Sequence, residues 1–154
     1  MNSHSDHTLH FEAVNSRNRA EVEHLEVFAE QSGFIESVTQ CLQEADKLEL
    51  WRPVGIYDRG MLIGFAMYGY FPKPAPGQVW LDRLLIDKKY QGKGYGKRVV
   101  LALLDRLRTE YSCDTIYLSV YETNSHAIHL YQQIGFHFNG EYDTNGEHVM
   151  VYAF

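Results

Sequence analysis

The chain has only two cysteines, Cys41 and Cys113, among its 154 residues. They lack Cys-x-x-Cys spacing, which excludes a disulfide framework and a zinc knuckle as organising devices. Cysteine this sparse fits a reducing compartment, and the cytoplasm is the expected location. No run approaches the ~20 apolar residues of a membrane span, and the polar start from Met1 to His7 has no signal-peptide core. Membrane association is therefore not expected. Basic residues are in deficit: 14 Lys and Arg against 20 Asp and Glu leave a formal charge of −6. That balance disfavours a nucleic-acid surface and is compatible with a cationic substrate. Internal repeats, low-complexity tracts and interdomain linkers are also missing. What remains, with 45% hydrophobic and 22% charged residues, is the composition of one ordinary domain able to bury a core. Residues 1–7 are expected to be disordered and residues 8–154 to form a single domain.

The most informative stretch runs from Trp80 to Lys97. Trp80 to Ile86 is rich in large apolar residues and has the length of a buried strand. Val99, Val100, Leu103, Leu104 and Leu107 recur at helical spacing, so the periodicity changes from strand to helix across Gly92, Gly94 and Gly96. Glycines at such a junction let the backbone turn tightly and approach a ligand closely, while the first N–H groups of the helix lack internal partners. That arrangement favours a phosphate, with Lys93 and Lys97 adding positive charge. It is not a Walker A loop, because Gly96-Lys97 is followed by Arg98 where a hydroxyl would hold magnesium. Nor is it a dinucleotide fingerprint, since the third glycine's position holds Lys97 in one frame and Val99 in the other.

Elsewhere the chain reads in order. Leu9 to Val14 alternates like a first strand, and Asn15 to Asn18 supply turn and cap residues. A helix is expected from about Arg19, with Val22, Leu25 and Ala29 as its buried stripe. After Gly33 a second helix should carry Ile35, Val38, Leu42 and Ala45 on one face, leaving Glu36, Glu44 and Asp46 elsewhere on a solvated surface. Pro53 to Tyr57 and Met61 to Phe71 read as antiparallel strands joined through Asp58-Arg59-Gly60, and Pro72 to Gly77 is a loop. Thr115 to Val120 is a strand reached through the helix after the glycines, so it should run parallel to the Trp80 strand. Asn124 and Ser125 cap a short helix with Ala127, Leu130, Tyr131 and Ile134 inward, stopped by Gly135. Phe136 to Tyr142 and His148 to Tyr152 flank Asp143-Thr-Asn-Gly146, a strong hairpin signal. The sum is an α/β (α+β) chain of about seven strands and four helices, with a mixed, mostly antiparallel central sheet.

Gln91-Gly-Lys-Gly-Tyr-Gly96 resembles the Gln/Arg-x-x-Gly-x-Gly/Ala signature of the GNAT acetyltransferases. Asn124-x-x-Ala127-x-x-Leu130-Tyr131-x-x-x-Gly135-Phe136 resembles the family's second motif, at the expected distance downstream, and the element order resembles the whole GNAT fold. Within the family, Phe34-Ile-Glu-Ser37, Pro53-Val-Gly-Ile-Tyr57, Gly64-Phe-Ala-Met-Tyr-Gly69, Val79-Trp-Leu-Asp-Arg83 and Phe138-Asn-Gly-Glu141 are similar in wording to bacterial spermine/spermidine acetyltransferases. The resemblance implies an N-acetyltransferase that moves acetyl from acetyl-CoA to a primary amine of a polyamine, without a metal and with a homodimer as a family expectation. The rival acceptors are another small amine, an antibiotic amine or a protein amino group. A rival of another class is a non-catalytic acyl-CoA sensor on the same fold.

The resemblance also implies site residues. Leu84, Leu85 and Ile86 would bind pantetheine and thioester through main-chain groups, one N–H serving as an oxyanion donor. Gln91, Gly92, Lys93, Gly94, Tyr95, Gly96 and Lys97 would hold the pyrophosphate, and Asn124 with Ala127 would meet the pantetheine arm, Asn124 also capping its helix. A polyamine nitrogen, with a pKa of roughly 10, must lose a proton before it attacks. Asp82 is the candidate to hold the ammonium and accept that proton; the alternative is an ion pair with Arg83. Alternation sets Trp80, Asp82 and Leu84 on one face and Arg83 on the other. Tyr131 matches the family's general acid, which protonates the leaving thiolate; the alternative is a hydrogen-bonded core tyrosine. Glu36 is a candidate grip for a distant ammonium. Cys41 and Cys113 are remote from both motifs and expected to pack. His126 and His129 have no ligand partner at suitable spacing and are expected to be solvated.

Overall fold

The computed structural model describes residues 8–33 and 37–154. The elements run β1 (Leu9–Ala13), α1 (Arg19–Glu23), α2 (Val38–Lys47), β2 (Trp51–Asp58), β3 (Met61–Phe71), β4 (Gln78–Ile86), α3 (Tyr95–Tyr111), β5 (Thr115–Val120), α4 (Ser125–Ile134), β6 (His137–Tyr142) and β7 (His148–Ala153). Short 3-10 turns sit at Ala29–Gln31 and Lys88–Tyr90. The strands make one seven-stranded sheet in the order β1-β2-β3-β4-β5-β7-β6. Neighbours are antiparallel except β4 and β5, which are parallel because α3 returns the chain across the sheet. The element order read from periodicity is the one found. Residues 1–7, and Phe34, Ile35 and Glu36 with the roles expected of them, lie outside the described residues.

Each face of the sheet carries its own apolar layer. On one, α3 buries Val99, Val100, Leu103, Leu104 and Leu107 against Val54, Ile56, Val79, Leu81, Ile116 and Leu118. Their spacing of one, three and four puts all five on one stripe of the helix, and each fully buried leucine there contributes about 1.5–3 kcal/mol. On the other face, Val22 of α1 and Val38, Cys41 and Leu42 of α2 cover Phe65, Met67 and Leu85. Ser37 starts α2 with a reciprocal cap: its Oγ accepts from Gln40 N at 3.2 Å, and Gln40 Oε1 accepts from Ser37 N at 3.0 Å. Cys41 is buried and free, and Cys113 is half-buried and free. Among the described residues no helix is long and apolar enough to cross a membrane.

Two local expectations need correction. The first helix was expected to run past Leu25 towards Ala29, but α1 ends at Glu23. The cause is tertiary: the buried carboxylate of Asp87 accepts from Glu26 N at 3.2 Å, and Lys88 N donates to Glu26 O at 2.7 Å. The chain after α1 is thereby tied to the end of β4 instead of continuing to wind. The second correction concerns β4. Leu81 pairs with Tyr68 and Arg83 with Met67, so Asp82 is the extra residue of a bulge. Val79 and Leu81 face α3 before it, and Leu84 and Ile86 pack on that same layer after it. Trp80, Asp82 and Leu84 therefore do not share a face, because the bulge shifts the alternation by one.

Candidate active site

β4 and β5 share only the Val79–Ile116 and Trp80–Tyr117 pairs. Beyond them the strands part, and a cleft of about 420 Å³ opens between their C-terminal ends. Its walls are residues 81–86 of β4, residues 118–121 after and within β5, the glycine loop, and Asn124, Ala127, Leu130 and Tyr131 around α4. Main-chain groups on the β5 side of β4 have no partner strand past Trp80, so they are left to bond a ligand lying in the gap.

The glycine loop presents a positive end to this cleft. Gly94 caps α3 in the left-handed region at φ 82°, with no side-chain hydrogen bond to the helix, and Gly92 has φ 77°. A Cβ at either would meet nothing within 4 Å, so the backbone there is open to an approaching anion. The first-turn N–H groups of α3 and the helix dipole both favour negative charge at that spot. The residues present thus fit a phosphate-bearing ligand. Lys97 lines the cleft; Lys93 does not, its Nζ lying 5.9 Å from the centroid of the Tyr90 ring.

Two of the loop's residues spend their polar atoms on holding it in place. The Tyr95 hydroxyl donates to Asp58 at the end of β2, and Arg98 lies 3.9 Å from the same carboxylate. The tyrosine's hydrogen bond is the main cause that lowers the Asp58 pKa, and that same bond raises the pKa of Tyr95. Gln91 Nε2 donates to Ile86 O and to Gln31 Oε1, both at 2.9 Å, and Gln31 Nε2 returns a bond to Gln91 Oε1. Sequence reasoning assigned Tyr95 and Gln91 to ligand binding; both line the cleft, with their side-chain polar groups bonded to the surrounding protein.

Of the other sequence-predicted residues, Asp82, Leu84, Leu85, Ile86, Asn124, Ala127 and Tyr131 all line the cleft. Asn124 caps α4 by accepting from Ala127 N at 3.4 Å. Asp82 receives a hydrogen bond from Arg83, whose other nitrogen, Nη2, lies 3.2 Å from Glu44 on α2. The ion pair that was the alternative for Asp82 is therefore present, inside the cleft wall. Tyr131 is half-buried, and loss of hydration pushes its pKa up to about 12. Its ring meets Phe136 edge-on at 5.5 Å. His126 and His129 are exposed on α4. Among the described residues no group of three or more His, Cys, Asp or Glu is gathered to hold a metal.

Sequence reasoning missed Ser119 and Glu147, which also line the cleft, and Asp143, which bonds to both. The only prior signal was the Asp143-Thr-Asn-Gly146 turn, which announced a hairpin and not its position.

A model of the acetyltransferase (GNAT) family matches residues 20–136. The chain belongs to the GNAT acetyltransferases. Among curated relatives, the probable spermine N(1)-acetyltransferase of Bacillus subtilis subsp. natto (strain BEST195) is 50% identical over 94% of this chain and 97% of its own length. The spermine/spermidine N(1)-acetyltransferase of Bacillus subtilis (strain 168) is 49% identical over the same shares. Solved structures share the fold. A spermidine N-acetyltransferase from Vibrio cholerae, crystallised with CoA and spermine, superposes with TM-score 0.73 at 20% identity, covering 96% of each chain. The aminoglycoside acetyltransferase AAC(6')-Ib in complex with coenzyme A gives 0.78 at 20% identity, covering 94% of each. The parted strands, the glycine loop and Tyr131 of this GNAT acetyltransferase line one cleft.

Proposed function

We propose that the protein is a polyamine N-acetyltransferase, moving acetyl from acetyl-CoA to a primary amine of spermine or spermidine by direct attack of the amine on the thioester. One observation carries the acceptor assignment: 49% identity over 94% of the chain to the spermine/spermidine N(1)-acetyltransferase of Bacillus subtilis (strain 168). The cleft's chemistry supports the rest. The N-terminus of α3 and its glycine loop bind the pyrophosphate, and main-chain groups of β4 beyond Trp80, which face no partner strand, align the pantetheine arm, one N–H facing the thioester oxygen as charge develops there. Asp82 holds the incoming ammonium beside Arg83 and accepts its proton, directly or through water. The free amine attacks the carbonyl carbon, the C–S bond breaks as the Tyr131 phenol gives its proton to the departing sulfur, and the proton that the attacking nitrogen loses on becoming an amide returns to the phenolate through water.

Neither cysteine lines the cleft, so no thiol is placed to carry an acetyl group between the two substrates. Initial-rate plots with both substrates varied are accordingly expected to intersect; parallel lines, the mark of a covalent acetyl-enzyme, would overturn direct attack.

The acceptor is tested by free-thiol release from acetyl-CoA with spermine, spermidine, putrescine, an aminoglycoside, a lysine-bearing peptide, or no acceptor. Acceleration by spermine or spermidine far above the others is the expected result. Acceleration by the aminoglycoside alone would keep the chemistry and discard the polyamine. Tight acetyl-CoA binding without acceleration by any of them would favour the sensor reading.

A further inference from the structure

Asp82 and Glu147 are the carboxylates among the described residues that line the cleft. They stand on opposite walls, Asp82 in the β4 bulge and Glu147 just before β7. The sheet register puts them on one side of the opening. Trp80 pairs with Tyr117, so Ser119 is level with Asp82 across the gap. Ser119 pairs with Val149, and alternation sets Glu147, two residues earlier, on the face of Ser119. The opposite face holds Leu118, Val120 and Met150 under α3, and Tyr131 packs into that layer. Glu147 thus belongs to the side of the cleft away from α3 and α4.

Its backbone is fixed there by a single residue, Asp143. Asp143 Oδ1 accepts from Asn145 N at 2.9 Å and Glu147 N at 2.8 Å, and Oδ2 accepts from the Ser119 hydroxyl at 3.0 Å. Asp143 N in turn donates to Glu147 O at 2.9 Å. The β6–β7 turn is therefore latched to β5 by a serine that itself lines the cleft, with Glu147 held at both its N–H and its C=O.

Charge on the Asp82 wall is reduced by one guanidinium shared between two carboxylates. The Arg83 guanidinium bonds Asp82 and reaches Glu44 at 3.2 Å, so an ammonium arriving at Asp82 also meets a fixed cation, which reduces its net attraction. A linear acceptor carrying a second cationic nitrogen a few methylenes away would gain from a carboxylate on the other wall.

We infer that Glu147 binds the second ammonium of a polycationic acceptor, with Asp143 and Ser119 as its positioning residues, so that the cleft selects amines with two or more cationic nitrogens over monoamines. This deepens the polyamine reading and rests on it.

The test compares kcat/KM for spermidine with that for n-hexylamine at saturating acetyl-CoA, in the wild-type enzyme and in Glu147→Gln, Glu147→Asp and Ser119→Ala. Glu147→Gln is expected to lower the spermidine-to-hexylamine ratio roughly tenfold, through KM for spermidine. Glu147→Asp should recover part of it, and Ser119→Ala should lose less than Glu147→Gln. Raising ionic strength should shrink the wild-type ratio towards that of the Gln variant. Calorimetric acetyl-CoA binding reports whether each variant is folded. A Glu147→Gln enzyme that binds acetyl-CoA and keeps the wild-type ratio overturns this inference alone. If that variant does not fold, a salt-independent wild-type ratio overturns it instead. A wild-type enzyme without polyamine turnover overturns the parent reading and this inference together.

Discussion

Replacing Tyr131 by phenylalanine is expected to lower kcat by about 10²-fold or more, because a positioned acid typically contributes 10²–10⁴-fold, while acetyl-CoA still binds. The expectation rests on how this tyrosine differs from others in the fold. The Tyr68 hydroxyl donates to Glu110 at 3.2 Å and accepts from Arg106 at 2.9 Å, and the Tyr95 hydroxyl donates to Asp58. These are structural phenols. Among the described residues the Tyr131 hydroxyl has no such bond, and lost hydration alone raises its pKa.

The raised pKa also fixes the sign of the pH dependence. An unperturbed tyrosine titrates near 10, whereas Tyr131 titrates at about 12. It therefore enters the neutral range fully protonated, ready to give a proton. Because the unfolded chain's phenol ionises first, burial of Tyr131 costs the fold nothing below a pH of about 10 and destabilises it progressively as pH rises from there through the folded value. The rate should thus climb with pH as the acceptor nitrogen, near pH 10, loses its proton, with no earlier fall from ionisation of the phenol. Unchanged turnover in Tyr131→Phe would remove the phenol from the mechanism.

Substituting Gly96 by valine is expected to cost about 10²-fold or more in acetyl-CoA affinity, by filling the space a backbone-bound ligand needs. The fold should survive it. A Cβ at Gly96 would meet only Leu130 Cδ2, at 3.3 Å, the tip of a side chain that can turn aside. Gly94 differs, because its φ of 82° strains any residue with a Cβ, so its variants would mix a folding defect with a binding one. Calorimetric titration of Gly96→Val with acetyl-CoA, alongside a thermal melt, separates the two effects. Normal affinity would sink the phosphate-loop assignment.

The order of elements was readable because α3 and β5 carry clean periodicities and because the glycines mark the join between β4 and α3. The glycine loop was readable for the same reason: a turn that needs φ above zero leaves glycine in the sequence. What could not be read depends on contacts distant in the chain. The early end of α1 is set by Asp87, 61 positions beyond the Glu26 amide it binds. The bulge at Asp82 is a mismatch between β3 and β4 that neither strand announces alone. Glu147 looks like an ordinary hairpin residue until the β5–β7 register carries it to the cleft. Asp82 was singled out by type and place, and its tie to Arg83 was foreseen as an alternative; the further link from Arg83 to Glu44 required α2 to be docked.

The parting of β4 from β5 has a consequence for traffic. A sheet is ordinarily a closed partition, and substrates meeting on one side of it would queue at a single mouth. Here the partition has a slot, with α3 and α4 on one side and Glu147 and Asp82 on the other. On the proposed reading, donor and acceptor arrive from opposite sides without passing each other, and each product leaves by the way its parent came. Either substrate is then expected to bind first, which product-inhibition patterns would check.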